Sequence, residues 1–210
     1  GVNQSDDKAF RHFKDAAMAG SMDAAAYLGI CYANGYGTKK DTIQAGQWMK
    51  KSAEKGIPTG LYGWGVYLYE GIGTQKNIPQ AVEYFKKAAE GGIIPSMNCL
   101  GEHYYNLKQY SESLKWYEMA ADKGNAKAQY WTAVLYSDKK DLANAKNVAK
   151  SWFTKSAVQG YVKAMSQLAW ILHNEGTPEG KKQAFEWWNK AAQEGNVVSQ
   201  YPPKDTKLMR

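Results

Sequence analysis

A chain of 210 residues with 44% hydrophobic residues carries enough apolar mass for one domain of moderate size. Low mean hydropathy, with no apolar run near ~18 residues, excludes a membrane-spanning helix. The net charge of +7 invites a nucleic-acid reading, but Lys39, Lys40, Lys50, Lys51, Lys86 and Lys87 fall in turns or on solvated helix faces. No block of like charge or arginine-rich segment accompanies them, so nucleic-acid binding is not expected.

In chain order, residues 5–19 read as one helix that stops at Gly20. Ala24 to Tyr32 then places small and apolar residues at helical spacing and breaks at Gly35-Tyr36-Gly37. A second helical pattern runs through Ile43, Ala45, Trp48, Met49 and Ala53 to a stop at Gly56. A glycine just past a helix end supplies the left-handed residue that closes it. The unit is therefore helix, glycine turn, helix, glycine stop, which is an αα-hairpin.

This unit returns. The stop glycines Gly20, Gly56, Gly92, Gly124, Gly160 and Gly195 are spaced by 36, 36, 32, 36 and 35 residues, the mark of a stacked repeat array. The expected domain spans residues 1–196, with a partial repeat at 5–21 and repeats at 22–57, 58–93, 94–125, 126–161 and 162–196. Residues 197–210 read as a partial repeat or tail, broken by Pro202-Pro203.

Within the repeats, Leu28-Gly29 falls on Trp64-Gly65, Leu100-Gly101, Thr132-Ala133 and Leu168-Ala169. Only Gly or Ala occupies the second place, which suits closely approaching helices. The second helix sets an aromatic at Trp48, Tyr84, Trp116, Trp152 and Trp187, with His12 in the corresponding place of the leading half-repeat. Five residues later comes Ala17, Ala53, Ala89, Ala121, Ala157 or Ala192. Large opposite small is how such layers interdigitate, so these tryptophans are expected in the core.

The phrases Ala24-x-x-x-Leu28-Gly29-x-x-Tyr32-x-x-Gly35-x-Gly37 and Ala45-x-x-Trp48-x-x-x-x-Ala53-x-x-Gly56 resemble the SEL-1-like repeat, a relative of the tetratricopeptide repeat. Gly71-x-Gly73 followed by Ala81, Tyr84, Ala88 and Ala89 resembles it too. The resemblance covers about residues 5–196 and implies an all-α fold: a right-handed α/α superhelix (solenoid) of about five helical hairpins with partial terminal repeats. Repeat three departs from it, reading Asn106-Leu107-Lys108-Gln109-Tyr110 where the glycine pair should stand. Repeats four and five read Asp138-Lys139-Lys140-Asp141 and Glu175-Gly176-Thr177-Pro178-Glu179-Gly180 there.

Catalytic chemistry is not legible. His12, His103 and His173 lie in different repeats without metal-ligand spacing, and no strand precedes a glycine loop that could cradle phosphate. Cys31 and Cys99 occupy non-equivalent places and read as buried free thiols. No enzyme activity, cofactor or metal is expected.

The resemblance implies that first helices line a concave groove, with ligand-facing positions around the core stripe. On that basis the expected partner-binding residues are Tyr62, Tyr69, Asn98, Glu102, Tyr105, Lys127, Tyr130, Lys163, Trp170 and His173. Tyrosine and tryptophan combine contact area with a polar handle, as interface hot spots require. The expected function is a non-catalytic protein–protein interaction scaffold, or adaptor, for a protein partner. The alternative is an immunity or inhibitor protein that blocks a cognate toxin or enzyme; glycan or cell-wall binding ranks below both. A monomer or weak homo-oligomer is expected. The chain starts at Gly1-Val2-Asn3 instead of a methionine, which reads as cut or processed, and a periplasmic or secreted bacterial setting is favoured over a cytoplasmic one.

Overall fold

The computed structural model describes residues 4–138 and 144–195. Among the described residues there are eleven α-helices and no strand. They are α1 (Gln4–Met18), α2 (Met22–Asn34), α3 (Thr42–Glu54), α4 (Pro58–Glu70), α5 (Ile78–Glu90), α6 (Ile94–Asn106), α7 (Tyr110–Asp122), α8 (Ala126–Ser137), α9 (Ala145–Val158), α10 (Val162–Asn174) and α11 (Pro178–Gln193). The tail expected at 197–210, with Pro202-Pro203, lies outside the described residues. So does most of the turn expected around Asp138–Asp141.

Two compact units divide the chain, Gly1–Leu100 and Gly101–Arg210, with the boundary inside α6. In the first, α1 packs on α2, and α2/α3 and α4/α5 form hairpins joined through α3 and α4. In the second, α8/α9 and α10/α11 form hairpins, with α7 packed on α8 and α9 on α10.

Helix boundaries follow local chemistry. Asp41 Oδ1 accepts the N–H groups of Ile43 and Gln44 at 3.0 and 2.9 Å, and Asn125 accepts that of Ala128 at 2.9 Å. These caps satisfy N–H groups that a helix start leaves without partners. Proline in the first turn opens α4, α5 and α11, where its missing N–H costs nothing. The six stop glycines all take positive φ, between 75° and 100°, as the repeated stop predicts.

The core keeps the expected large-opposite-small logic but shifts one residue. The enclosed large side chains are Met49, Phe85, Tyr117, Phe153 and Trp188, each 0–5% exposed. Each follows directly after the aromatic that the sequence places in the core. Phe85 and Tyr117 stand against the small position of their own hairpin: a Cβ at Gly65 or Gly101 would lie 2.8 Å from the ring. Ala133 and Ala169 fill the same role in the second unit at 0% exposure.

Trp48, Trp116, Trp152 and Trp187 are instead half-buried. The ammonium groups of Lys51, Lys155 and Lys190, three residues on, lie 4.3, 4.0 and 5.2 Å from the ring centroids of Trp48, Trp152 and Trp187. One helix step turns a side chain by roughly 100°, so the residue after each tryptophan points inward while the indole lies at the flank under a lysine stem. The spaced alanines from Ala17 to Ala157 are buried at 0–4%, whereas Ala192 is exposed.

Two serine hydroxyls tie hairpin ends together. Ser52 Oγ donates to Met22 O at 2.8 Å, and Ser156 Oγ donates to Ala126 O at 2.7 Å. In each case the last turn of an outer helix is fastened to the first turn of its inner partner.

Candidate functional site

Seven of the ten expected partner-facing residues fall in the second unit, on α6, α8 and α10. Lys127, at the start of α8, donates from Nζ to Glu102 Oε2 on α6 at 3.1 Å. Both groups stay substantially exposed, so the pair contributes little stability and leaves two charges open to a partner. Tyr105, half-buried, lies 5.0 Å from Trp131 and 5.5 Å from Tyr110 between ring centroids. Trp170 on α10 is half-buried against the core, and Lys163 is exposed on the first turn of the same helix.

Two of these positions differ from expectation. Tyr130 is 9% exposed, with its ring 5.8 Å from Phe153, 5.3 Å from Tyr161 and 5.4 Å from Trp131. It packs as core, because an aromatic at this place on an inner helix reaches into the seam between hairpins. His173 turns toward α11, its ring 5.6 Å from Trp188 and its Nδ1 enclosed. That position looks toward the outer helix of the same hairpin. Asn174 Nδ2 is used locally, donating to Trp170 O at 2.9 Å.

Burial raises the phenol pKa values of Tyr105, Tyr130 and Tyr161. Neighbouring Tyr110 and Asp138 push Tyr105 further the same way, whereas Lys127 pulls Tyr161 partly back. These phenols stay neutral at physiological pH.

Sequence reasoning missed Trp131 and Tyr161, both half-buried beside this group. A signal existed for Tyr161: it directly follows a stop glycine, where the sister repeats carry Ser21, Ile57, Ile93 and Asn125.

In the first unit, Tyr62 on α4 packs partly against Ala53, Leu61 and Ala88, its centroid 6.1 Å from Phe85. Burial first, and the Cys99 thiol second, raise its pKa. Tyr69 also leans toward the outer helix, 5.9 Å from Phe85, so it too is a hairpin contact more than an outward one. Asn98 is half-buried with Oδ1 enclosed.

Among the described residues no group of His, Cys, Asp or Glu could hold a metal ion, and no helix is long and apolar enough to cross a membrane. Cys31 is a buried free thiol whose pKa is raised by desolvation and then by Asp6, the opposite of nucleophile activation. Cys99 is a half-buried thiol.

The Sel1 repeat family matches residues 1–21, 23–57, 58–93, 96–125, 126–161 and 162–196. A protective antigen present in uropathogenic Escherichia coli strains, with an SLR fold, is 30% identical at a TM-score of 0.80, covering 94% of this chain and 46% of that one. A Sel1 repeat protein from Oxalobacter formigenes is 27% identical at a TM-score of 0.75, covering 85% of this chain and 73% of its own. Chitin synthase regulatory factor 3 of Schizosaccharomyces pombe is 27% identical over 172 residues, which is 80% of this chain but 15% of the yeast protein. The chain thus spans less than half of the antigen and a small part of the yeast factor. Repeat proteins of this type generally mediate protein–protein interaction and are generally non-catalytic.

Proposed function

Because the chain belongs to the Sel1 repeat family, we propose that it is a non-catalytic scaffold that holds a segment of a partner protein against the inner helices of its second unit. One observation carries this reading. Tyr105, Trp131 and Tyr161 remain half-buried around the Glu102–Lys127 pair, and Trp170 stays half-buried further along on α10, although Tyr117, Phe153 and Trp188 already close the core. Large rings that a core does not consume, edged by an accessible ion pair, match the make-up of a binding hot spot. Lys163 extends the same surface along α10, and the hydroxyl tips of the tyrosines can meet the backbone of a bound segment.

The test compares wild type with two variants, Tyr105→Ala/Trp170→Ala and Lys127→Glu, as baits in lysate of the source organism. Thermal melting followed by circular dichroism verifies that each bait is folded. The expected result is one dominant protein held by wild type and weakened about tenfold or more by the ring variant. Equal capture by wild type and both folded variants would sink this surface. A captured enzyme or toxin whose activity disappears on binding would make the chain an inhibitor in place of an adaptor. A periplasmic or secreted setting is part of the same proposal, and fractionation of the source cells tests it.

A further inference from the structure

The first unit carries a second surface, on the edge where its hairpins turn. The N-terminal part of α3, the middle of α4 and the loop after α4 enclose an open notch of about 260 Å³. Its floor is the Trp64 and Tyr67 rings, stacked with centroids 6.3 Å apart at 21°. Ile43 and Ile72 flank it, 66% and 37% exposed. Ligand pockets for whole small molecules run from roughly 300 to 1,000 Å³. A notch below that range suits one anchoring side chain of a larger partner.

The floor exists because of a glycine inside α3. A Cβ at Gly46 would lie 2.9 Å from the Tyr67 ring, so the ring can lie flat on the helix only there. The equivalent places in the other repeats carry Val82, Leu114, Lys150 and Phe185. A glycine in a helix interior costs about 1 kcal/mol relative to alanine, and here it opens an aromatic floor at a place where isoleucines stand exposed.

Charge supplies the second half of the argument. Lys50 holds its Nζ 5.7 Å from the Trp64 centroid at one end of the notch, and no carboxylate lines the cavity. The neighbouring Asp41 is engaged with the N–H groups at the start of α3. Ile43 and Lys50 are two helical turns apart, about 10 Å along the axis. An extended chain covers that distance in about three residues.

We propose that this notch docks an acidic segment of a partner protein: a Leu, Ile, Phe or Trp side chain enters between Ile43 and Ile72, and an Asp or Glu about three residues away pairs with Lys50. The site is separate from the inner-helix surface of the second unit. A cation above an aromatic floor discriminates against basic and neutral segments, whereas the apolar flanks supply contact area.

A random peptide library displayed on phage, selected on the full chain, tests this. Expected are peptides with a large apolar residue and an acidic one about three positions apart. Synthetic copies should lose binding about tenfold or more with Ile43→Asp and with Lys50→Glu, and keep it with Trp170→Ala. Both substituted side chains are exposed, so the melting temperature should hold. Selection on Lys50→Glu should turn the preference from acidic to basic. No enrichment, enrichment without acidic residues, or peptides that bind both notch variants as well as wild type would overturn the proposal. Loss on Trp170→Ala with the notch variants unaffected would also overturn it, and would assign the peptides to the other surface.

Discussion

The hairpin turns of the two units solve one problem with different residues. In the first unit the inner helices end at Gly35 and Gly71, with φ of 79° and 75°, whose N–H groups donate to Cys31 O and Tyr67 O at 2.8 Å. The chain then loops outward and returns, Asp41 N–H to Tyr32 O and Asn77 N–H to Leu68 O, both at 2.8 Å. In the second unit the turn after α6 is shorter, and Lys108 takes the left-handed place at φ 60°. Gln109 N–H then donates to Tyr104 O at 2.9 Å. Reversing the chain therefore does not need the long glycine loop. The extra residues do other work: Gly37 seats the first loop on α1, and Ile72, Gly73 and Thr74 wall the notch.

Beneath different turns the two cores should be equivalent, and this gives the largest expected effect. Phe85→Ala in the first unit and Phe153→Ala in the second should each destabilise by about 3–5 kcal/mol in urea unfolding. Trp152→Ala, although it removes a larger side chain, should cost distinctly less because its indole is half-buried. A Trp152 loss matching that of Phe153 would return the tryptophans to the core. Next comes Gly37→Ala. At φ 63° an added Cβ would approach the Asp6 carbonyl and lie 2.8 Å from Phe10 Cβ. Strain and overpacking together should cost about 3 kcal/mol, with hydrogen exchange rising first in α1. No loss of stability there would deny the long loop its seating role. The smallest change runs the other way. Lys108→Gly removes a strained left-handed lysine and should stabilise by about 0.5–1 kcal/mol, the net of relieved strain and a freer unfolded chain. A destabilised variant would show that the lysine side chain contributes something its backbone position hides.

The repeat plan was legible because period, stop glycines and small positions are each written several times in the chain. The core aromatic was misplaced by one residue for a physical reason. Tryptophan is the conspicuous member of each Trp-Met, Trp-Tyr, Trp-Phe or Trp-Trp pair, yet at a helix flank a neighbouring lysine stem can cover it. The second member is apolar in every repeat, and that was the better signal. The proposed partner-binding surface was legible only in part. Tyr105, Lys127, Lys163 and Trp170 fall on accessible or half-buried surface, but an inner helix has packed neighbours on several sides. Tyr69, Tyr130 and His173 point into those seams, which helical spacing alone does not separate from open faces. The notch had no single-element signature, since its parts come from α3, α4 and a loop and meet only after folding.

The hydroxyl ties at the hairpin ends have a kinetic consequence. Ser52 reaches Met22 and Ser156 reaches Ala126 across 30 residues, and the Gln159–Gln129 bond spans the same interval. Links of this kind close loops no longer than about one repeat, so the entropy lost before the first favourable contacts form stays small. Topologies rich in such short-range contacts fold fast. Each hairpin is then a candidate starting point from which order spreads to its neighbours, and a repeat inserted or deleted whole would leave every one of these ties in register.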